Sequence, residues 1–278
     1  MSERPSDLPD FEQPPISEVL LSIQFERLEA LTSPHLGILW NNFRTEFPNV
    51  EEHAQLAPAF ERFEAVQPAA PSVRYESLGT PPLRRAWFLN GKETELIQIQ
   101  SDRLIHNWRK IQDADSYPRY EQIRDHFVGE AKLFQSFITQ EGLGELVVNQ
   151  CEVTYVNHIM AGEVGEGHAE LQNIISNWRK EEYRFLPAPE NASLALRFLI
   201  RNEADETIGR LHAQVQPAWR NVDKRPMYVM TLTARGIPMG EGLDGSLRFF
   251  DVGREWIVRG FADLTTTKMH ELWRRLDG

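Results

Sequence analysis

Two stretches about 134 positions apart carry the same order of features, and this internal repetition limits the fold more than any single motif. The first opens at Glu18-Val19-Leu20-Leu21-Ser22-Ile23-Gln24-Phe25 and the second at Glu152-Val153-Thr154-Tyr155-Val156. In the first run Val19, Leu21, Ile23 and Phe25 alternate with polar residues, the period of two that places one side of a strand on a core. Ser33 as N-cap and Pro34 at the first helical position then start a helix whose stripe is Leu36, Leu39, Trp40, Phe43 and Phe47, ended by Pro48. In the second stretch Leu171, Ile174, Ile175 and Trp178 reproduce that spacing and predict a matching helix.

Sheet-forming runs follow each helix. They span 59–65, 84–90 and 94–109 in the first copy, with a hairpin turn at Asn90-Gly91 and a break at Ser101-Asp102. In the second copy they span 193–201, 209–216 and 226–235. A long helix closes each copy, one starting at Tyr117-Pro118 and carrying Phe127, the other carrying Phe249 and Trp256, with Phe127 and Trp256 in comparable positions. A last helix carries Met269, Leu272, Trp273 and Leu276. Strands followed by helices point to an α+β fold with helices packed on one sheet face. The expected organisation is an extended lead-in over 1–15, a first lobe over 16–143 and a second over 146–278. Each lobe reads strand, helix, three or four antiparallel strands, long helix. The order is similar to TATA-binding-type saddles and helix-grip folds, an analogy that carries no function.

No segment approaches the roughly 18 apolar residues of a membrane span, and Met1-Ser2-Glu3-Arg4-Pro5 lacks a signal-peptide layout, so a cytoplasmic protein is expected. The lone Cys151 excludes an internal disulfide and a thiolate zinc cage, and its place in an alternating run predicts a buried structural thiol. The net charge of −11 disfavours nucleic acid as a partner. That charge is uneven: residues 1–83 carry 13 acidic and 5 basic side chains, residues 84–124 carry 6 acidic and 8 basic. Anion contacts are therefore expected in the latter stretch.

Motifs for catalysis are scarce. Gly162-Glu163-Val164-Gly165-Glu166-Gly167 lacks the Gly-Lys-Ser/Thr ending of a phosphate loop and puts carboxylates where phosphate would sit, so it reads as a connection. Gly236 to Gly245 reads as a flexible crossover. Among the eight histidines no two lie three or four residues apart, so a metal site would have to be assembled from distant segments. No nucleophile elbow is present. Catalytic residues, metal ligands and cofactors are accordingly expected to be none.

The candidate binding residues are Arg84, Arg85, Arg103, His106, Asn107, Trp108 and Arg109, which gather cationic, polar and aromatic groups on neighbouring strands beside Trp87, Gln98 and Gln100. The tetrapeptide Asn107-Trp108-Arg109-Lys110 recurs as Asn177-Trp178-Arg179-Lys180, at a strand end and a helix end respectively. Pro14-Pro15-Ile16-Ser17-Glu18-Val19, the segment from Asp102-Arg103 to Asn107-Trp108-Arg109, Tyr117-Pro118-Arg119-Tyr120 and the closing Phe261, Thr265, His270 and Trp273 resemble an uncharacterised, sporadically distributed family of prokaryotic proteins. That likeness spans essentially the whole chain and supplies no reaction, cofactor or catalytic residue. It implies an accessory or sensing role in defence or toxin–antitoxin neighbourhoods. The expected function is thus a non-catalytic recognition protein that binds a protein partner. The alternative is a sensor or enzyme for a small anionic, phosphorylated or nucleotide-like ligand held between sheet and long helix by Arg84, Arg103, Arg109 and His106.

Overall fold

The computed structural model describes residues 5, 7–63, 83–160, 167–169, 171–178, 184–187 and 189–276. Their nine strands form one antiparallel sheet: β1 (Ile16–Phe25), β2 (Asn49–His53), β3 (Arg85–Leu89), β4 (Glu95–Gln100), β5 (Arg103–Arg109), β6 (Val148–Met160), β7 (Leu194–Arg201), β8 (Thr207–Trp219) and β9 (Pro226–Gly236). The spatial order is β2-β3-β4-β5-β1-β6-β9-β8-β7. Four α-helices accompany it: α1 (Ser33–Phe43), α2 (Tyr120–Gln140), α3 (Gly242–Leu264) and α4 (Thr267–Leu272). The fold is therefore mixed α and β around one large sheet. Among the described residues no helix is long and apolar enough to cross a membrane.

β1 occupies the middle because its alternation supplies what a central strand needs. Val19, Leu21 and Ile23 are fully buried, and the backbone pairs with β5 on one side (Leu21 with His106) and with β6 on the other (Leu21 with Val153). Each such aliphatic side chain removed from water contributes about 1.5–3 kcal/mol. From this sheet Phe88 meets Phe43 of α1, Phe25 meets Phe134 of α2, and Val153 and Ala234 come close to Gly253 of α3. Gly209 and Gly236, on the paired strands β8 and β9, admit the Phe249 ring of α3. A Cβ at Gly236 would lie 2.5 Å from that ring and 2.2 Å from the Ile208 carbonyl oxygen. Two helices meet directly where Phe127 of α2 lies edge-on to Phe250 of α3, 5.1 Å between ring centres.

Most strand expectations survive with shifted ends, and the differences have physical causes. Residues 59–63 form no strand; the segment from Ala54 to Phe63 lies against strand side chains instead of pairing with a strand backbone. The helix expected from Leu171 is a single 3-10 turn, Leu171–Asn173. Its apolar residues are buried as the periodicity requires, but the backbone bonds go to the end of α3: Ser176 N–H to Leu264 C=O (2.9 Å) and Thr266 N–H to Ile174 C=O (2.9 Å). Gly236 to Gly245 is not all crossover, because α3 begins at Gly242. The N-cap of α1 is Thr32 rather than Ser33, with His35 Nδ1 accepting from the Thr32 backbone N–H at 3.1 Å. β2, polar and at the sheet edge, carries no apolar alternation and was not expected. The Gly162 loop lies outside the described residues apart from Gly167, as do Arg179 and Lys180.

Candidate functional site

Side chains that alternate away from Phe88, His106, Leu21 and Val153 are predominantly polar, although the residues carrying them are largely buried. Gln24, Gln98, Gln100, Asn107, Gln150 and Thr154 are each less than 10% exposed. Such groups are stable only when hydrogen-bonded; Thr154 pairs with the Thr233 hydroxyl at 2.7 Å, and two networks satisfy the others.

The first network crosses four adjacent strands. Arg85 donates to Gln98 Oε1 (2.9 Å), Gln98 Nε2 to Asn107 Oδ1 (2.7 Å) and Asn107 Nδ2 to Glu18 Oε1 (2.6 Å). Burial raises the Glu18 pKa, partly offset by the Asn107 bond and the Arg109 charge. Beside this relay Trp87 stacks on His53, ring centres 3.9 Å apart, while the guanidinium groups of Arg85 and Arg109 stand 5.4 and 5.8 Å from the indole. Arg109 also donates to the Glu93 carbonyl at 2.8 Å. Three buried donors here meet no acceptor among the described residues: Arg85 Nε, Trp87 Nε1 and Arg103 Nε. Burial lowers the pKa of both arginines, and at Arg85 the nearby Arg103 lowers it further. An anionic or carbonyl oxygen would relieve these donors.

The second network holds the segment 54–63. Gln100, Arg103, Gln24 and Gln150 stand opposite one another on β4, β5, β1 and β6. Gln100 clamps Leu56 at two points, accepting from its N–H and donating to its C=O, both at 2.9 Å. Gln24 Oε1 accepts from Ala59 N–H (2.8 Å) and Gln150 Oε1 from Glu61 N–H (3.0 Å), while Arg103 donates to the Ala57 carbonyl (3.2 Å). On the segment 54–63 the glutamines bind backbone and not side chains, and hydrogen bonds to a peptide's main chain are the part of extended-peptide recognition that gives affinity. At the end of the row the Glu61 carboxylate, 4% exposed, accepts from Arg210 (2.6 Å) and His212 (2.5 Å) and lies 3.5 Å from Arg235. Burial alone would raise the Glu61 pKa, but the His212 bond and the charges of His212, Arg210 and Arg235 hold it below its ordinary value.

The structure divides the residues expected to form one surface. Arg85, Arg103, Asn107 and Arg109 belong to the two networks. His106 and Trp108 point the opposite way: His106 is fully buried against Glu130 of α2, and Trp108, 4% exposed, packs on Tyr117. This corrects the expectation of a shared surface, and its reason is the strand period of two. Arg84 is exposed next to Glu52, 3.8 Å away. Gln24, Gln150, Glu61, Arg210, His212 and Arg235 were missed as site residues. The signal available was the recurrence of glutamine on inward strands; their convergence on 54–63 depends on the sheet order. Cys151 is buried as expected, its thiol pushed up to about 12 by burial, which disfavours a nucleophilic role. No protein-family model matches this chain, and no curated protein matches its sequence.

Proposed function

We propose that this chain is a non-catalytic recognition protein that holds an extended, acidic segment of a partner protein across the polar side of its sheet. The observation that carries the reading is the glutamine row, which clamps the backbone of 54–63 while Arg210, His212 and Arg235 hold the Glu61 carboxylate. The chain's own segment occupies the place of the partner until the partner displaces it. The wider architecture we infer is two tandem pseudo-repeats with helices layered on one sheet face. Outward from the β1–β6 pair the strands run β1-β5-β4-β3-β2 and β6-β9-β8-β7, so each half pairs its first strand with its last, which supports duplication. A place in a defence or toxin–antitoxin system rests on the family resemblance alone.

The test uses a synthetic peptide of residues 54–63 and the full chain carrying Glu61→Arg, which sets like charges together and releases the internal segment. Fluorescence anisotropy is expected to show the peptide binding this variant and losing affinity when Gln24 and Gln100 are also changed to alanine. Equal binding with and without the glutamines defeats the proposal. A second reading, a small anionic ligand at Arg85, Trp87 and Arg103, is favoured by their buried donors without acceptors. Orthophosphate or a nucleotide at 100 times its dissociation constant should then add about 2.7 kcal/mol of stability, read as a thermal shift.

A further inference from the structure

On the helix side of the sheet four titratable groups from three elements converge: Glu95 on β4, His106 on β5, and His126 and Glu130 one turn apart on α2. The helical period puts His126 and Glu130 on one stripe, and β4–β5 register places Glu95 opposite Trp108, on the same side as His106. The ligand-type atoms of Glu95, His106 and His126 lie within 4.8 Å of one another. The histidine rings are edge to face, 5.9 Å between centres, and His126 Nδ1 is 3.1 Å from Glu95 Oε2.

The hydrogen bonding of His106 adds an independent observation. Its Nδ1 lies 2.8 and 3.0 Å from the two oxygens of buried Glu130, whereas its Nε2, in a residue with no exposed surface, has no hydrogen-bond partner among the described residues. With Nδ1 bonded to the Glu130 carboxyl group, Nε2 is the ring nitrogen left to ligate, the carboxylate–histidine arrangement that orients a metal ligand. A buried ring nitrogen without a partner is costly, and a cation bound between Glu95, His106 and His126 would supply one. Tetrahedral zinc with bonds of about 2.0–2.2 Å needs ligand atoms roughly 3.3 Å apart. The His126–Glu95 pair already has that spacing. A cavity of about 410 Å³ lined by Glu46, Asp125, His126 and Glu130 reaches the cluster from its His126 side.

We propose that Glu95, His106 and His126 form a binding site for one divalent first-row transition ion, with Glu130 orienting His106 from behind. Two imidazoles and a carboxylate suit zinc, cobalt or iron and leave a fourth position for water. The ion ties α2 to β4 and β5, and the proposal is independent of the peptide reading. After dialysis against chelator, the full chain titrated with cobalt(II) is expected to take up one equivalent with the visible absorption of a four-coordinate ion, and zinc is expected to displace it and raise the melting temperature. His126→Ala, at a half-exposed position, should keep the fold by circular dichroism and abolish that spectrum; Glu130→Gln should weaken binding about 10–100-fold. Absence of both the spectrum and a zinc-dependent thermal shift overturns the site. An undiminished cobalt spectrum in a folded His126→Ala chain does the same, because the ion would then be held elsewhere.

Discussion

Trp108 and Arg109 are neighbours in sequence and opposites in environment. Trp108 fills the layer between sheet and Tyr117, whereas Arg109 reaches the Glu93 carbonyl and the Trp87 ring. Trp108→Ala is therefore expected to cost about 3–5 kcal/mol. Arg109→Ala should stay within about 1 kcal/mol of wild type. Urea unfolding of the two variants checks this, and a Trp108→Ala chain as stable as wild type would refute the core assignment. The sorting was only half legible beforehand. Both parities of β5 mix apolar and polar residues, Leu104, His106 and Trp108 on one side and Ile105, Asn107 and Arg109 on the other, so alternation alone could not say which side the helix covers. Burial of His106 depends on Glu130, 24 residues away.

The two long helices are joined by a polar clamp. Tyr120 donates its hydroxyl to Asp251 at 2.8 Å, Arg124 meets both oxygens of the same carboxylate at 2.8 and 2.9 Å, and Arg254 of α3 returns to Glu121 of α2 at 3.0 Å. Burial, and next the Asp251 charge, push the Tyr120 hydroxyl well above its ordinary pKa, so it remains a donor at any physiological pH. Asp251→Ala should lose about 1–2 kcal/mol, chiefly from a stranded Tyr120 hydroxyl. The ion pair itself adds little because Asp251 is 48% exposed on its side chain. Thermal melts of Asp251→Ala with and without Tyr120→Phe check the cause: the second change should recover part of the loss, and a purely additive loss would contradict it. Both long helices could be read from their apolar stripes, as could every strand with clean alternation. The failures are elements shaped by neighbours. Leu171–Trp178 has a helical stripe, yet its backbone bonds to residues at the end of α3, a tertiary contact that outweighs eight residues' worth of local preference.

At the scale of the whole molecule, a single row of side chains connects β4, β5, β1 and β6 to the segment 54–63, and Glu61 fastens its far end. Because the folded pKa of Glu61 is depressed, its contribution to stability is fully present above the ordinary carboxylate value of 4.5 and is lost as the pH falls through the lower folded value. The stability gap between wild type and Glu61→Gln, measured by urea unfolding, should accordingly be widest near neutral pH and shrink below about pH 4.5. A gap unchanged into acid would show that the carboxylate charge does not hold the segment. By itself the sequence determined the number and kind of most elements and the buried thiol, since periodicity and turn chemistry are local properties. Only the tertiary structure decided that β1 and β6 join the halves into one sheet, that Gln24, Gln100 and Gln150 converge on a backbone, and that Glu95, His106 and His126 meet. Those outcomes depend on strand order and register, which bring together residues far apart in the chain and leave no periodic trace within it.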